Sequence, residues 1–486
     1  MSMIKVEDLT FSYPTSYDDI FEHVSFQIDT DWKLGFVGRN GRGKTTFLNL
    51  LLGKYEYSGK IISSVQFDYF PYFVPDESRL TEEILWEICP SAQEWEFMKE
   101  LSCLEVEEDV LYRSFETLSN GEQTKVLLAA LFLKEGNFLL IDEPTNHLDM
   151  RAREMVSAYL KKKKGFLLVS HDRCFLDGCV DHILSLNRAD IEVQSGNFSS
   201  WLTNFERQQQ FEAAQNVRLQ KDIGRLQQSA KRSAVWSDRV EASKVGAADK
   251  GHVGHKAAKM MKRSKGIEAR QQQAIKQKSA LLKNVETAEE LKLCPLSYYT
   301  DTLVTFSDVA VRYEGRDICA PVTFTVGRGE RAALDGRNGS GKSSLLKLLT
   351  GEGIEHSGTV TIGSGLVISY VPQSTSHLKG TLSAYAEENN IDESLFKAVL
   401  RKMDFERIQF EKDMRDFSGG QKKKVLIARS LCEQAHLYVW DEPLNFIDIY
   451  SRMQIERLIM EFAPAMIFVE HDRMFRDTVA TKTVRI

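Results

Sequence analysis

The residues best suited to chemistry form four short motifs that occur twice in the same order. The first copy contains Gly38-Arg-Asn-Gly-Arg-Gly-Lys44-Thr45, Leu118-Ser-Asn-Gly-Glu122, Phe138-Leu-Leu-Ile-Asp142-Glu143 and Ser170-His171-Asp172. The second contains Gly336-Arg-Asn-Gly-Ser-Gly-Lys342-Ser343, Phe417-Ser-Gly-Gly-Gln421, Leu437-Tyr-Val-Trp-Asp441-Glu442 and Glu470-His471-Asp472. Matching residues lie 298 to 300 positions apart, a register that chance does not keep across four motifs. The chain therefore contains two copies of one domain.

The first motif of each copy predicts a phosphate-binding loop between a strand and a helix. Its glycines allow backbone N–H groups to approach phosphates closely. We expect Lys44 and Lys342 to reach the β- and γ-phosphates of a nucleotide, and Thr45 and Ser343 to offer hydroxyls to Mg²⁺. The other positions of these loops that we expect to bind nucleotide are Gly38, Asn40, Gly41, Gly43, Thr46, Gly336, Asn338, Gly339, Gly341 and Ser344.

Acidic pairs and histidines follow apolar runs in both copies. We expect Asp142 and Asp441 to hold Mg²⁺ through its waters. Glu143 and Glu442 are placed to polarise the attacking water, because a carboxylate beside a bound nucleotide is a reasonable general base. A histidine at a strand end usually has a structural role, but the matched pair His171 and His471 favours contact with the γ-phosphate. These motifs predict ATP hydrolysis, with ATP and Mg²⁺ as cofactors.

The remaining sequence predicts three domains. Residues 1–204 and 296–486 each alternate strand-like apolar runs with helical patterns, which indicates an α/β fold. Residues 205–295 contain no proline before Pro295 and are rich in Gln, Ala, Lys and Arg, residues that favour helix. We predict two long helices at about 205–243 and 256–292, joined by a tip at about 244–255.

This linker is basic, whereas the rest of the chain is acidic. Residues 205–295 contain 19 Lys and Arg and 10 Asp and Glu, a net charge of +9 within a chain of net charge −6. The imbalance favours contact with a polyanion; the alternative is a solvated helical connector. The candidates for RNA contact are Lys244, Lys250, His252, His255, Lys256, Lys259, Lys262 and Arg263.

Composition argues against some classes of protein. No apolar run approaches the roughly 18 residues that a membrane helix needs, which counts against a fused transporter. The first residues have no apolar core of a signal peptide. The seven cysteines are odd in number and contain no CxxC pair, so we expect reduced thiols in a cytoplasmic protein.

The combination of motifs resembles the ATP-binding cassette superfamily, above all in Ser418-Gly-Gly-Gln421. Two cassettes with a long charged linker and no membrane domain resemble its ABC-F branch of ribosome-binding ATPases, as do Glu143-Pro-Thr-Asn-His-Leu-Asp149 and Glu442-Pro-Leu-Asn-Phe-Ile-Asp448. The resemblance implies a monomer whose cassettes pair head to tail.

That pairing implies nucleotide sites shared between the cassettes. Lys44 would share a nucleotide with Ser418, Gly419, Gly420 and Gln421, and Lys342 would share one with Ser119, Gly121 and Glu122. The resemblance also implies that Tyr13 and Tyr313 stack on adenine, although each could be an ordinary core or turn tyrosine.

The two copies depart from each other in two segments. Gln373 matches a glutamine that the family uses to help Mg²⁺ and water, whereas the first copy has Tyr72. The first signature has Asn120 and Glu122 where the second has Gly419 and Gln421. Asn120 tolerates a positive φ, and Glu122 brings a negative charge near the second site. We therefore expect two unequal sites.

Within the ABC-F branch, several features resemble the Gram-positive resistance proteins of the Lsa/Vga type. The span from Tyr72 to Ser119 leaves no room for an inserted arm, and the sequence shows no extension after Ile486. This implies action at the E site of the 70S ribosome, with the linker near 23S rRNA and P-site tRNA, against lincosamides, streptogramin A and pleuromutilins. Alternatives are a housekeeping translation factor, the ATPase subunit of a drug exporter, and a DNA-repair ATPase; we expect neither membrane nor DNA contact.

Overall fold

The structure is a computed structural model that describes residues 2–14, 19–134, 136–146, 148–187, 190–242, 270, 273, 291–313 and 315–486. The chain forms two compact units. The larger consists of Met1–Trp201 with Glu289–Ile486, and the smaller is Leu202–Ala288. Both repeated domains belong to the larger unit, and we call residues 2–201 cassette 1 and residues 291–486 cassette 2.

Cassette 1 combines an antiparallel sheet, a mainly parallel sheet and flanking helices. The antiparallel sheet has the strand order β2-β1-β4, and the parallel sheet has the order β5-β6-β7-β3-β8-β9, with only β9 antiparallel to its neighbour. The elements are β1 (Met3–Phe11), β2 (Phe21–Asp29), β3 (Lys33–Gly38), α1 (Lys44–Leu51), β4 (Ser58–Ile62), β5 (Gln66–Phe70), α2 (Thr81–Ile88), α3 (Glu94–Cys103), α4 (Asn120–Leu133), β6 (Asn137–Asp142), α5 (Met150–Lys161), β7 (Phe166–Val169), α6 (Arg173–Cys179), β8 (His182–Asn187) and β9 (Asp190–Ser195).

A 45-residue helix, α7 (Phe198–Ala242), follows cassette 1. It begins earlier than residue 205, the predicted start, because the side chain of Asn197 accepts hydrogen bonds from the N–H (3.1 Å) and hydroxyl (2.7 Å) of Ser200 and so caps the first turn. The predicted tip at 244–255 and most of the second predicted helix lie outside the described residues. The same holds for all eight candidates for RNA contact.

Cassette 2 repeats the plan of cassette 1. Its antiparallel sheet has the order β11-β10-β12 with β14 also paired to β10, and its parallel sheet has the order β15-β16-β17-β13-β18. The elements are β10 (Thr302–Tyr313), β11 (Arg316–Asp317), β12 (Val322–Gly327), β13 (Arg331–Asp335), α8 (Lys342–Leu349), β14 (His356–Ile362), β15 (Ile368–Val371), α9 (Leu382–Glu388), α10 (Glu393–Lys402), α11 (Gly419–Cys432), β16 (Leu437–Asp441), α12 (Ile449–Phe462), β17 (Met466–Val469), α13 (Arg473–Val479) and β18 (Lys482–Arg485).

The parallel sheets bring the predicted chemical residues to one edge. The apolar runs that precede Asp142 and Asp441 form β6 and β16, which are buried as expected for strands covered on both faces. Because parallel strands end at the same edge, Gly38 at the end of β3 comes close to Asp142 at the end of β6. The predicted α/β fold with two tandem cassettes is confirmed. Within the described part of the chain, no helix has the length and apolarity to span a membrane.

A buried ion pair joins the two cassettes. The Arg173 guanidinium at the start of α6 donates two hydrogen bonds to the Glu456 carboxylate on α12, one of them at 3.0 Å, and lies 3.7 Å from Asp472. Both partners are almost wholly buried. Arg473, the counterpart of Arg173, pairs with Glu154 at 2.7 Å, but both of these side chains are more than half exposed. Of these two matching ion pairs, the buried one between Arg173 and Glu456 should therefore contribute more to the interface than the exposed one.

Removing one partner of the buried pair should destabilise the protein strongly. Arg173→Met leaves Glu456 and Asp472 without this cation, and an uncompensated buried charge costs about 3–5 kcal/mol. The double variant Arg173→Met/Glu456→Met should recover much of that loss. Arg473→Met, the matched control at an exposed pair, should cost about 1 kcal/mol or less. Urea unfolding followed by circular dichroism measures each effect, and equal losses from the two arginine variants would contradict the asymmetry.

Candidate nucleotide-binding sites

The first phosphate loop connects β3 to the N-terminus of α1. Gly43 has a φ of 101°, and a Cβ at this position would lie 2.5 Å from the side chain of Ile20, so only glycine fits. The Lys44 ammonium is buried and donates hydrogen bonds to the carbonyl oxygens of Gly38 (2.7 Å) and Arg39 (3.2 Å). Burial lowers the pKa of Lys44. A buried ammonium within a glycine-rich cradle at a helix N-terminus suits the phosphates of a nucleotide.

The second phosphate loop has the same geometry. The Lys342 amine donates to the carbonyl oxygens of Gly336 (2.8 Å) and Arg337 (2.7 Å), and Gly341 has a φ of 86°. Burial lowers the pKa of Lys342 as well.

Hydroxyl and carboxylate groups meet beside each loop. Thr45 donates to the Asp142 carboxylate at 3.3 Å, and Ser343 donates to the Asp441 carboxylate at 3.1 Å. Burial raises the pKa of Asp142, and it raises that of Asp441 to about 6. Oxygen ligands of this kind beside a phosphate site are those that Mg²⁺ takes. The donor set therefore fits the predicted metal.

The two candidate general bases share an unusual backbone. Glu143 follows β6 with a φ of 49°, and Glu442 follows β16 with a φ of 46°. Non-glycine residues held in this region cluster at functional sites. Oε1 of Glu143 is buried and accepts no hydrogen bond from a described residue, although Nε2 of His171 lies 3.5 Å away. An orphaned acceptor at this position fits a water molecule or ligand donor.

The surroundings of the two glutamates differ. Burial, and then the nearby Asp142, raise the pKa of Glu143 to about 8. Burial acts in the same direction on Glu442, but hydrogen bonds from His471, Gln373 and Asn445 outweigh it and lower the pKa of Glu442 to about 2. Asn445 donates its bond at 2.7 Å. The predicted inequality of the sites thus extends to their candidate bases.

Both signature serines cap their helices with a capping box, and the two boxes differ in one hydrogen bond. Ser119 precedes α4, and its hydroxyl donates to the Glu122 carboxylate at 2.8 Å, which also accepts the Ser119 N–H at 2.8 Å. Ser418 precedes α11, and Gln421 accepts only its N–H, at 3.0 Å. Asn120 is the first residue of α4 and does not have a positive φ, so the tolerance of asparagine for that conformation is not used here. Glu122 does more than add charge, because it also engages the hydroxyl of Ser119.

Each cavity at a phosphate loop is lined by both cassettes. A cavity of 490 Å³ brings Lys44, Thr45 and Glu143 of cassette 1 together with Ser418 and Gln421 of cassette 2. A cavity of 1180 Å³ brings Lys342 and Glu442 of cassette 2 together with Ser119 and Glu122 of cassette 1. We call these cavities the Lys44 site and the Lys342 site.

Most of the other predicted nucleotide-site residues line the same cavities, whereas Gly38, Gly336 and Asp441 line neither. The Lys44 site also contains Tyr13, Asn40, Gly41, Gly43, Thr46, Asp142, His171, Gly419 and Gly420. The Lys342 site also contains Gly121, Tyr313, Asn338, Gly339, Gly341, Ser343, Ser344, Gln373 and His471. The hydroxyls of Tyr13 and Tyr313 hydrogen-bond to Thr46 (2.8 Å) and Ser344 (2.9 Å). These contacts place the two rings beside the phosphate-loop helices.

Tyr72 does not take the place of glutamine in the Lys44 site. Its hydroxyl donates to Asp68 at 2.8 Å, and its ring lies under the Lys134 ammonium. The side chain that reaches the candidate metal ligand is Tyr69, which donates to Asp142 at 3.1 Å. The sequence prediction missed Tyr69, although a tyrosine on β5 three residues before Tyr72 was a usable signal.

Comparison with known proteins agrees with this geometry. The model of the ABC transporter family matches residues 21–146 and 319–445, which contain both phosphate loops and both signatures. The chain belongs to the ABC transporter family. As a member of that family it has cassette domains that bind ATP and are associated with its hydrolysis.

Several curated proteins align with nearly the whole of this ABC family member. The putative ATP-binding protein YdiF of Bacillus subtilis is 26% identical over 100% of this chain and 80% of its own length. The ribosome protection protein VmlR of the same organism is 26% identical over 96% of this chain and 83% of its own length. The energy-dependent translational throttle protein EttA of Haemophilus influenzae is 28% identical over 75% of this chain and 63% of its own length.

Solved structures support the fold of this family member. An archaeal ribosome recycling factor, aABCE1, in complex with the ribosomal stalk protein aP1 superposes with a TM-score of 0.65. It is 20% identical, and the alignment covers 98% of this chain and 87% of that one. At that identity the likeness concerns architecture alone.

Replacing Glu122 should strengthen ATP binding at the Lys342 site. In a Glu143→Gln background, Glu122→Gln removes the acceptor that competes for the Ser119 hydroxyl and a negative charge facing the phosphates. The KM for ATP should fall about tenfold, which corresponds to roughly 1.4 kcal/mol. Steady-state hydrolysis measures the change.

The chain offers a matched reverse experiment. In a Glu442→Gln background, Gln421→Glu introduces the same carboxylate at the Lys44 site and should raise the KM for ATP. A KM unchanged in both experiments would show that the contact between Glu122 and Ser119 has no effect on nucleotide binding.

Proposed function

We propose that this chain is an ATPase of the ABC-F branch that acts on the ribosome and hydrolyses ATP at two sites, each composed of both cassettes. The observation that supports the composite sites is the lining of each cavity, in which the phosphate loop of one cassette faces the signature serine of the other. The proposed domains are cassettes at 1–204 and 296–486 with a linker at 205–295, and the proposed compartment is the cytoplasm.

In the proposed reaction, the phosphate loops bind and orient the nucleotide. The Lys44 and Lys342 ammonium groups and the backbone N–H groups of the loops neutralise phosphate charge. Thr45 and Asp142 at one site, and Ser343, Asp441 and Gln373 at the other, would hold Mg²⁺. The metal would supply further positive charge to the phosphate oxygens.

The acidic residues complete the proposed chemistry. Each glutamate orients a water molecule and accepts its proton, Glu143 at the Lys44 site and Glu442 at the Lys342 site. His171 and His471 lie close to these glutamates, at 3.5 and 3.4 Å, and face the same cavities. The signature serines close each site from the other cassette. This closure keeps bulk solvent away from the phosphates and leaves the attacking water molecule in place.

Two observations support action on the ribosome. Relatives that align with most of the chain carry the names ribosome protection protein and translational throttle protein. The region between the cassettes has a net charge of +9, which suits a polyanionic partner such as rRNA or tRNA. In the proposed complex with the 70S ribosome, residues 244–263 approach 23S rRNA and P-site tRNA.

The double variant Glu143→Gln/Glu442→Gln should bind ribosomes in an ATP-dependent manner and remain bound. It keeps the groups that bind ATP but lacks both proton acceptors, so the cassettes should stay closed on ATP. Sedimentation through a sucrose cushion with ATP measures the bound fraction, and the same variant with ADP is the control. Recovery of the ATP-bound variant away from ribosomes would contradict the proposal.

Within ribosome action, we propose protection against antibiotics that bind at the peptidyl-transferase centre, in the manner of the Lsa/Vga type. Expression of the wild-type chain in a sensitive strain should raise the inhibitory concentration of a lincosamide, streptogramin A or pleuromutilin. The double glutamine variant, which cannot cycle, is the matched control. Unchanged sensitivity to all three classes would favour a housekeeping translation factor, whereas ATP-dependent vesicle binding would favour an exporter subunit.

A further inference from the structure

Three positions around each phosphate loop correspond between the cassettes: the first is arginine in both, the second is acidic in both, and the third differs in character. The loop arginine is Arg39 in cassette 1 and Arg337 in cassette 2. The residue facing the loop from the other cassette has a left-handed backbone in both copies: Asp404, with a φ of 60°, and Glu105, with a φ of 47°. The third position, near the start of a helix, is Tyr450 on α12 or Arg151 on α5.

At the Lys44 site these positions form a contact between the cassettes. The Arg39 guanidinium pairs with the Asp404 carboxylate and lies over the Tyr450 ring, 5.3 Å from its centroid. The Arg39 side chain is only 11% exposed. The next residue, Asn40, donates a hydrogen bond at 2.7 Å to the carbonyl oxygen of Phe446. The phosphate loop of cassette 1 is therefore attached directly to cassette 2.

At the Lys342 site the described residues do not form the corresponding contact of the loop arginine. Arg151 pairs with Glu105 of its own cassette at 3.0 Å, and the Arg151 side chain is 70% exposed. Arg337 is exposed, and its side chain makes no hydrogen bond or ion pair with a described residue. The position that Tyr450 occupies beside Arg39 is held at this site by a cation, Arg151, which offers Arg337 no aromatic ring. The Lys342 cavity is correspondingly larger, 1180 Å³ against 490 Å³.

We propose that Arg39, through Asp404 and Tyr450, is a positioning residue that holds cassette 2 over the Lys44 site and slows the release of nucleotide there. The Lys342 site lacks this clasp and is the site that exchanges nucleotide rapidly. The inference rests on the proposed composite ATP sites. Its physical basis is that a partly desolvated ion pair with a cation–π contact must break before the Lys44 site can open.

The test measures release of a fluorescent ADP analogue, mant-ADP, from full-length proteins that retain one site. Lys342→Ala leaves the Lys44 site, and Lys44→Ala leaves the Lys342 site. Arg39→Met in the first protein should raise the release rate at least tenfold, and Asp404→Asn alone should have the same effect. The double variant should release mant-ADP no faster than either single variant. Arg337→Met in the second protein is the matched control and should change the rate less than twofold.

A gain of the clasp provides the converse test. In the protein that retains the Lys342 site, Arg151→Tyr frees Glu105 for Arg337 and supplies a ring, so mant-ADP release should slow severalfold. If the variants keep the urea unfolding midpoint and the mant-ADP association rate of their parent proteins, a general loss of structure is excluded as the cause. Equal effects of Arg39→Met and Arg337→Met, or no effect of either, would overturn the inference. Failure of both single-site proteins to bind mant-ADP would overturn the composite ATP sites together with it.

Discussion

The burial of charge between the cassettes is the constraint on which the rest of the structure depends. A charged group removed from water requires an opposite charge nearby, and here several partners come from the other copy of the domain. Arg173 of cassette 1 meets Glu456 of cassette 2, and Arg39 meets Asp404. These pairs hold the two cassettes against each other in one orientation. Each phosphate loop consequently faces the signature serine of the other cassette.

The same constraint explains why two copies of one domain make unequal sites. The loop arginine of cassette 1 binds across the interface beside Tyr450, whereas the corresponding position at the other site is Arg151, which pairs with Glu105 of its own cassette. Smaller differences act within the sites. Glu122 engages the hydroxyl of Ser119, whereas Gln421 accepts only the N–H of Ser418. The two copies thus share the groups placed to bind phosphate but differ in the contacts that these sites make between the cassettes.

Sequence reasoning reached the groups that depend on local motifs. The lysines, hydroxyls and acidic residues of each copy follow predictable strand ends, so the α/β fold and these groups could be placed from spacing. The pairing of each phosphate loop with the signature serine of the other cassette was implied only by the family resemblance. It could not find the clasp at Arg39, because Asp404 lies 365 residues away and carries no motif. It assigned importance to Tyr72 from its position in a pattern, whereas the pleat of β5 turns Tyr69 toward Asp142.

The most direct test of the account is an experimental structure of the Glu143→Gln/Glu442→Gln variant with ATP and Mg²⁺, determined on the ribosome. The account predicts one ATP between Lys44 and Ser418 and a second between Lys342 and Ser119. It also predicts that Arg39 remains paired with Asp404 and that the region between the cassettes contacts RNA. Two nucleotides each held by a single cassette, with the signature serines remote from both, would contradict it.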